Sequence, residues 1–329
     1  MTENARIMPV VDDINQTWQR MQQSPTPPVA TPLDYHPRLS EQTGMQVFLK
    51  HEQLQHTGSF KYRGALSRIL ALTDEEKQRG VITASSGNHG MACAKASQQA
   101  GVSLRVFVPK DASELKVKKI QGFGASVTHA DGDCLVAEQA AARYAQDHGM
   151  TYISPYNDPL VMAGQGTIGK ELLQQLPDLD AVFISVGGGG LIGGVGAWLK
   201  AHSPTTRIIG CWPENAPAMA ACLEAGKIID VPESDTLSDG TAGGVDDGAI
   251  TFDVCQQVID DKVLVSEDDI ATALRDMVAF DTTIVEGAAA VAIAAAQRYS
   301  PALTGKKVAI ILCGRNIAFE KLKSVICSA

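Results

Sequence analysis

Three short segments carry the residue types from which chemistry is most readily built. The first, Thr57-Gly58-Ser59-Phe60-Lys61-Tyr62-Arg63-Gly64-Ala65, sets a lysine near the opening turn of a helix. The helix dipole disfavours a cation there. Lys61 is therefore either a solvated surface lysine or an amine kept partly neutral, fit to serve as a nucleophile or Schiff-base partner. The second, Ser85-Ser86-Gly87-Asn88-His89-Gly90, gathers hydroxyls, an amide and unobstructed N–H groups at a helix start. Such a set suits a carboxylate or a ring oxygen, and the same residue types also serve as a plain helix cap. The third is Gly187, Gly188, Gly189 and Gly190, followed by Leu191. Four successive glycines let backbone N–H groups face inward without Cβ atoms in the way. A helix N-terminus behind them makes a cradle for a phosphate. A tight turn needs only one or two glycines, so phosphate binding is the better reading. The cluster is neither G-x-G-x-x-G nor a Walker loop.

All three segments follow short β-like runs, and that placement dictates what must hold them. VITAS at 81–85, LRVFVP at 104–109, AVFISV at 181–186, RIIGCW at 207–212 and KKVAIILCG at 306–314 are strand candidates, as is QVFLKHE at 46–52. Between them lie segments of helical period: SFKYRGALSRILAL at 59–72, NHGMACAKASQQAG closed by Gly101, SELKVKKIQGFG, and CLVAEQAAARYAQDHG at 134–149. Ser266 and Asp269 have capping-box spacing ahead of ATALRDMVAF. Alternating strand and helix implies an α/β fold with a mostly parallel sheet and helices on both faces. Ligands of such sheets sit beyond the carboxyl ends of the strands, so the three loops can converge on one site. SPTPPVATP at 24–32 is a proline-rich connector after a short N-terminal helix.

The composition bounds the function. The chain has 329 residues, about two domains' worth. Lys+Arg is 28 against Asp+Glu 37, a formal charge of −9, which argues against nucleic acid or anionic membrane as partner. No secretory signal is visible in MTENARIMPVVDD. The uncharged stretch from Ala181 to Leu199 holds seven glycines and is better read as strand, loop and helix than as a membrane span. Seven cysteines show no C-x-x-C or zinc-like spacing, which fits reduced thiols in a cytoplasmic protein.

Taken together, the segments resemble the pyridoxal-phosphate enzymes that include threonine dehydratase and serine racemase. GSFKYRGA resembles their Schiff-base lysine motif, SSGNHG their substrate-carboxylate loop, and SVGGGGLIGG their phosphate loop. Asp158-Pro159 through AGQGTIGKEL (163–172), and Val285-Glu286-Gly287-Ala288, are also similar to family segments. The similarity runs from about residue 30 to 316, with the motifs in family order. It implies fold type II: two open, twisted, mostly parallel sheets flanked by helices. A small, mobile substrate-loop domain (80–156) would be inserted in a large cofactor-binding domain (1–79 and 157–329). It implies pyridoxal 5'-phosphate held by Lys61 and flanked by Phe60, with Asn88 on the ring oxygen. Gly187 to Gly190 and Leu191 would hold the phosphate. Glu286 would stand in the wall, and Cys313 with Gly314 would lie near the ring nitrogen. Ser85, Ser86, Gly87, Asn88 and His89 would line the substrate carboxylate. A homodimer acting on a small amino acid, with no regulatory domain after Cys313, is the implied setting.

The implied reaction is α,β-elimination of water from a β-hydroxy amino acid, giving an oxo acid and ammonia, with Lys61 as base. Cys313, as a neutral thiol, is a weak partner for the ring nitrogen. An unprotonated nitrogen favours fast elimination over long-lived carbanions. Without the resemblance, Cys313 is equally a small buried residue at a strand end. Ser86, opposite Lys61, matches the second acid/base of serine racemase, so a two-base racemase is the alternative. β-Replacement ranks lower, because cysteine synthases carry TSGNTG where this chain has SSGNHG. A silent ligand-binding protein is the alternative outside enzymes. The family's divalent-cation site is lost here: Trp212 and Ala218 replace its carboxylates, so no metal is expected there. Asp131-Gly132-Asp133 is either a helix cap or an acid that selects an amine-bearing substrate. DGTAGGVDDGAITF (239–252) and LCGRN (312–316) depart from typical threonine dehydratases and look more like dehydratases assigned to hydroxyectoine utilisation, which would place a hydroxylated diaminobutyrate among the substrates.

Overall fold

The computed structural model describes residues 7–327. The ends of the chain, residues 1–6 and 328–329, lie outside the described residues, including the first part of the segment read for a signal and of the larger domain. Among the described residues, ten strands form two sheets. The larger contains Leu33–Tyr35 (β1), Gln46–Lys50 (β2), Ala181–Ser185 (β7), Arg207–Pro213 (β8), Asp261–Val265 (β9) and Lys307–Ile311 (β10). The smaller contains Val81–Ala84 (β3), Leu104–Val108 (β4), Ser126–His129 (β5) and Thr151–Tyr152 (β6).

The order of the first sheet is β1-β2-β10-β7-β8-β9, and that of the second is β5-β4-β3-β6. Every pairing is parallel except the edge pair β1–β2. β10 lies between β2 and β7, with Val308 opposite Val47 and Ala181. The chain thus returns from its C-terminal third to the middle of a sheet begun at residue 33. The central strands explain this by composition. VITA and AVFIS are buried at every position, as parallel strands covered on both faces must be. The strands that the sequence pattern does not announce are the short or partly exposed ones at the edges, such as β5, β6 and β9.

The helices end where local chemistry stops them. Gly101 closes Asn88–Ala100 in the left-handed region, at φ 66°. Ser266 and Asp269 form the capping box reciprocally at the start of Glu267–Ala279. The lysine helix is shorter than its periodicity suggests. It runs Lys61–Leu70, because Ser59 pairs instead with Gly314 in an antiparallel bridge. The alanine-rich helix Gly287–Tyr299 is buried against the large sheet. Among the described residues, no helix is long and apolar enough to cross a membrane.

Candidate active site

The two sheets place their loops against one another. The segment 57–60 runs antiparallel to 313–316: Phe60 N donates to Cys313 O at 3.0 Å and Arg315 N to Gly58 O at 2.9 Å. Glu286 N donates to Gly314 O at 3.0 Å, so the start of the helix Gly287–Tyr299 is tied to the same strand exit. From the smaller sheet, Asn88 reaches across and donates from Nδ2 to both carboxylate oxygens of Glu286, each at 2.9 Å.

Lys61 begins its helix, and its Nζ donates to the Pro155 carbonyl at 2.8 Å. No carboxylate is bonded to it, and burial lowers its pKa to about 8, against the nearby Cys313, Cys93 and Glu286, which favour the charged form. The Phe60 ring centroid lies 5.2 Å from this amine. Burial also raises the Glu286 carboxyl, although hydrogen bonds from Asn88 and Asn316 pull the other way. Cys313 is buried, with Sγ 3.9 Å from Glu286 Oε1, and burial with the nearby carboxylate pushes its thiol up, so it is neutral. The groups that act on the lysine are therefore one raised carboxyl and two neutral thiols, those of Cys313 and Cys93. Thr57 Oγ1 and Ser59 Oγ, beside the lysine in sequence, are buried polar atoms with no hydrogen-bond partner.

The glycine cluster turns from β7 into the helix Gly190–His202. Gly189 sits at φ 86°, a conformation that favours glycine. The first hydrogen bond of this turn is donated by Gly193 N to Gly189 O at 2.8 Å, which leaves the N–H groups ahead of it without intrahelical acceptors. A Cβ on Gly188 would come within 2.4 Å of the Tyr156 ring, and one on Gly187 within 3.0 Å of Thr241. Tyr156 adjoins Pro155, whose carbonyl meets Lys61, so cradle and amine face one seam. The donor set fits pyridoxal phosphate: free backbone N–H groups at a helix start for the phosphate, and an under-paired amine for the aldehyde.

Several expected site residues have other surroundings. The His89 ring is buried, bonded to Ile153 O at 3.1 Å and close to Cys93 Sγ at 3.5 Å, and burial lowers it to about 3. Its backbone, rather than its ring, is left for a substrate. Leu191 is packed in the large core, so only its backbone N–H belongs to the cradle. Ser85 Oγ accepts from Gly87 N at 3.1 Å. Ser86 and Gly87 lie half-buried on the same turn, and the Ser86 hydroxyl has no hydrogen bond among the described residues. The acidic run resolves as a cap: Asp133 accepts from Val136 N, while Asp131 pairs with Lys110 on the surface. Trp212 and Ala218 are buried, and among the described residues no three His, Cys, Asp or Glu side chains form a group that could hold a metal ion.

Three contributors escaped the sequence reading. Asn316 donates from Nδ2 to Asn88 Oδ1 at 2.6 Å and to Thr57 O at 2.8 Å, and from its backbone N to Glu286 at 3.1 Å. Tyr156 packs on the glycine cluster and accepts from Asp246 N at 2.9 Å. Thr251 donates to Gly188 O at 2.7 Å. The four glycines signal that something approaches closely, but not which residue.

Comparison with known proteins agrees with this geometry. Residues 26–314 match the family model described as pyridoxal-phosphate dependent enzyme. An L-threonine ammonia-lyase of Thermotoga maritima is 40% identical over 296 residues, covering 90% of this chain and 73% of that protein. The structure of processed threonine deaminase isoform 2 from Solanum lycopersicum superposes with a TM-score of 0.90 at 35% identity, covering 97% of this chain and 94% of the other. Maize serine racemase follows at a TM-score of 0.89 and 31% identity, covering 95% of each chain. This chain spans about half the length of the plant threonine dehydratases it matches.

Proposed function

The chain belongs to the pyridoxal-phosphate dependent enzymes, and from that premise we propose that it is a dehydratase of β-hydroxy amino acids. The net reaction removes the Cα proton and the β-hydroxyl, and ends in an oxo acid and ammonia. The observation that carries this reading is an amine lowered to about 8 facing a neutral thiol across the seam from a glycine cradle. When bound, the cofactor supplies a carbonyl that condenses with amines and a ring that withdraws electrons from Cα.

The residues of the chain do the rest. Lys61 Nζ is the amine for the aldehyde and, once free, the base for the Cα proton, since a group near 8 is part-neutral at working pH. Gly187 to Gly190 offer N–H groups to the phosphate. Asn88 donates toward the ring oxygen. Cys313 presents an S–H to the ring nitrogen and no negative charge, so nothing there holds a proton on that nitrogen. The backbone of Ser85 to His89 receives the substrate carboxylate. Residues 80–156 form the smaller unit, a division supported by a sheet drawn wholly from Val81–Tyr152. The finer reading adds a homodimer, supported by Phe280 and Phe319 left exposed, and a cytoplasmic setting, supported by seven free cysteines.

A panel of serine, threonine, hydroxyaspartate and hydroxylated diaminobutyrates, followed for oxo acid and ammonia, tests the assignment. Turnover of at least one is expected, and none across the panel overturns it. The unbonded Ser86 hydroxyl favours a second reading, an added racemase activity. Ser86→Ala then abolishes inversion of recovered substrate while sparing elimination, and wild-type enzyme that never inverts substrate removes this reading.

A further inference from the structure

Asn316 lies after β10, at the end of the segment that pairs with 57–60, and its amide nitrogen is fully engaged. Its Nδ2 has two N–H groups and two acceptors: the Thr57 carbonyl at 2.8 Å and Asn88 Oδ1 at 2.6 Å. A backbone carbonyl can only accept. Thr57 therefore fixes which end of the Asn316 amide faces inward. Asn316 in turn can only donate to Asn88, which must present its oxygen to Asn316 and its NH₂ to the opposite side. On that side Nδ2 meets both oxygens of Glu286, and Glu286 also accepts the Asn316 backbone N–H at 3.1 Å. The Thr57 carbonyl at one end of the chain of bonds and the Glu286 carboxylate at the other ask for the same orientation of the Asn88 amide.

We propose that Asn316 is a positioning residue that orients the Asn88 carboxamide so that its NH₂, not its oxygen, faces the cofactor. The proposal rests on the reading of Asn88 as the contact to the ring oxygen, an acceptor that needs a donor. Without Asn316, the Asn88 amide keeps only its bonds to Glu286 and loses the partner that holds its oxygen away from that acceptor. The loop 57–60 next to Lys61 also loses its tie to Asn316, and the test separates the two effects.

Cofactor-free wild type, Asn88→Ala, Asn316→Ala and the double variant are titrated with pyridoxal phosphate, recording Kd and the absorption spectrum of the loaded protein. Each single change weakens binding about tenfold, the scale of one lost hydrogen bond, and alters the spectrum. The double variant binds no more weakly than Asn88→Ala, because Asn316 acts only through that amide. Wild-type affinity and spectrum for Asn316→Ala overturn the proposal. So does a double variant whose loss is the product of the two single losses, which would route the effect through Thr57. Wild-type binding by Asn88→Ala instead defeats the reading of Asn88 itself, and the inference with it. Asn316→Ser, which keeps a small side chain that cannot span to Asn88, is read in the same way if the alanine variant does not fold.

Discussion

Two cations on the first turn of the helix Lys61–Leu70 meet opposite surroundings. Arg63 is fully buried and fully paired. Its guanidinium donates to Glu52 at 2.8 Å from two nitrogens, to Glu171 at 2.7 and 2.9 Å, and to Thr167 and the Val29 carbonyl. Lys50 completes the cluster with bonds to Glu171 at 2.6 Å, Thr31 O and Gln175. Two residues earlier, the Lys61 amine has one carbonyl partner and no bonded carboxylate. Burial opposes charge at both places, but the carboxylates beside Arg63 more than offset it and raise its pKa, while Lys61 falls to about 8. Enclosure alone thus makes neither group reactive. Withholding the counter-ion makes the lysine available, and supplying it elsewhere holds the helix that carries the lysine.

The contrast predicts that the two side chains fail differently. Lys61→Ala should lower turnover by roughly 10² to 10⁴, about 3 to 5 kcal/mol of activation free energy, and remove the absorbance of lysine-bound cofactor. Its thermal midpoint should stay near or above wild type, since an under-paired enclosed amine is removed. Steady-state kinetics and a melting curve check both halves. An Arg63→Met variant should do the reverse. It strands Glu52 and Glu171 without their main partner and costs about 3–5 kcal/mol of stability. Material that stays folded at low temperature should keep its catalytic chemistry. Equal stability losses for both variants would erase the distinction between a reactive cation and a structural one.

The same contrast explains what could be read from the sequence. Lys61, Asn88 and the four glycines stood out because unusual residue types sat at the ends of strongly apolar strands. The strands themselves were legible where both faces are buried, as in β3, β7, β8 and β10. The edge strand β5 was not, since two of its four residues are exposed and the others only half-buried. Partners were the larger loss. Arg63 meets Glu171 across 108 positions, and Asn316 meets Asn88 across 228. No local spacing encodes such contacts. Residue type alone also could not say which part of His89 faces the loop: packing turns the imidazole onto the Ile153 carbonyl, and the backbone stays on the loop. Asp133 showed the converse, where the ordinary reading as a helix cap was the correct one.

The smallest expected effect is on pH dependence, and it applies to Lys61 alone. Its folded value of about 8 lies below the ~10.4 of a free lysine. Between those values the unfolded chain binds more protons than the folded one, so this lysine's contribution to stability rises with pH across that window. Below about 8 both states are protonated and the full penalty of the enclosed charge persists. Only the neutral amine attacks an aldehyde. The rate at which cofactor-free protein captures pyridoxal phosphate should therefore climb about tenfold between roughly pH 7 and 9, a change worth ~1.4 kcal/mol, and then level off. Arg63 stays charged throughout and adds no slope. Stopped-flow absorbance across that range gives the midpoint directly. A rate that instead climbs about a hundredfold from pH 7 to 9 without levelling is what a lysine at ~10.4 gives, and would show that the missing counter-ion leaves Lys61 no more reactive than a lysine in water.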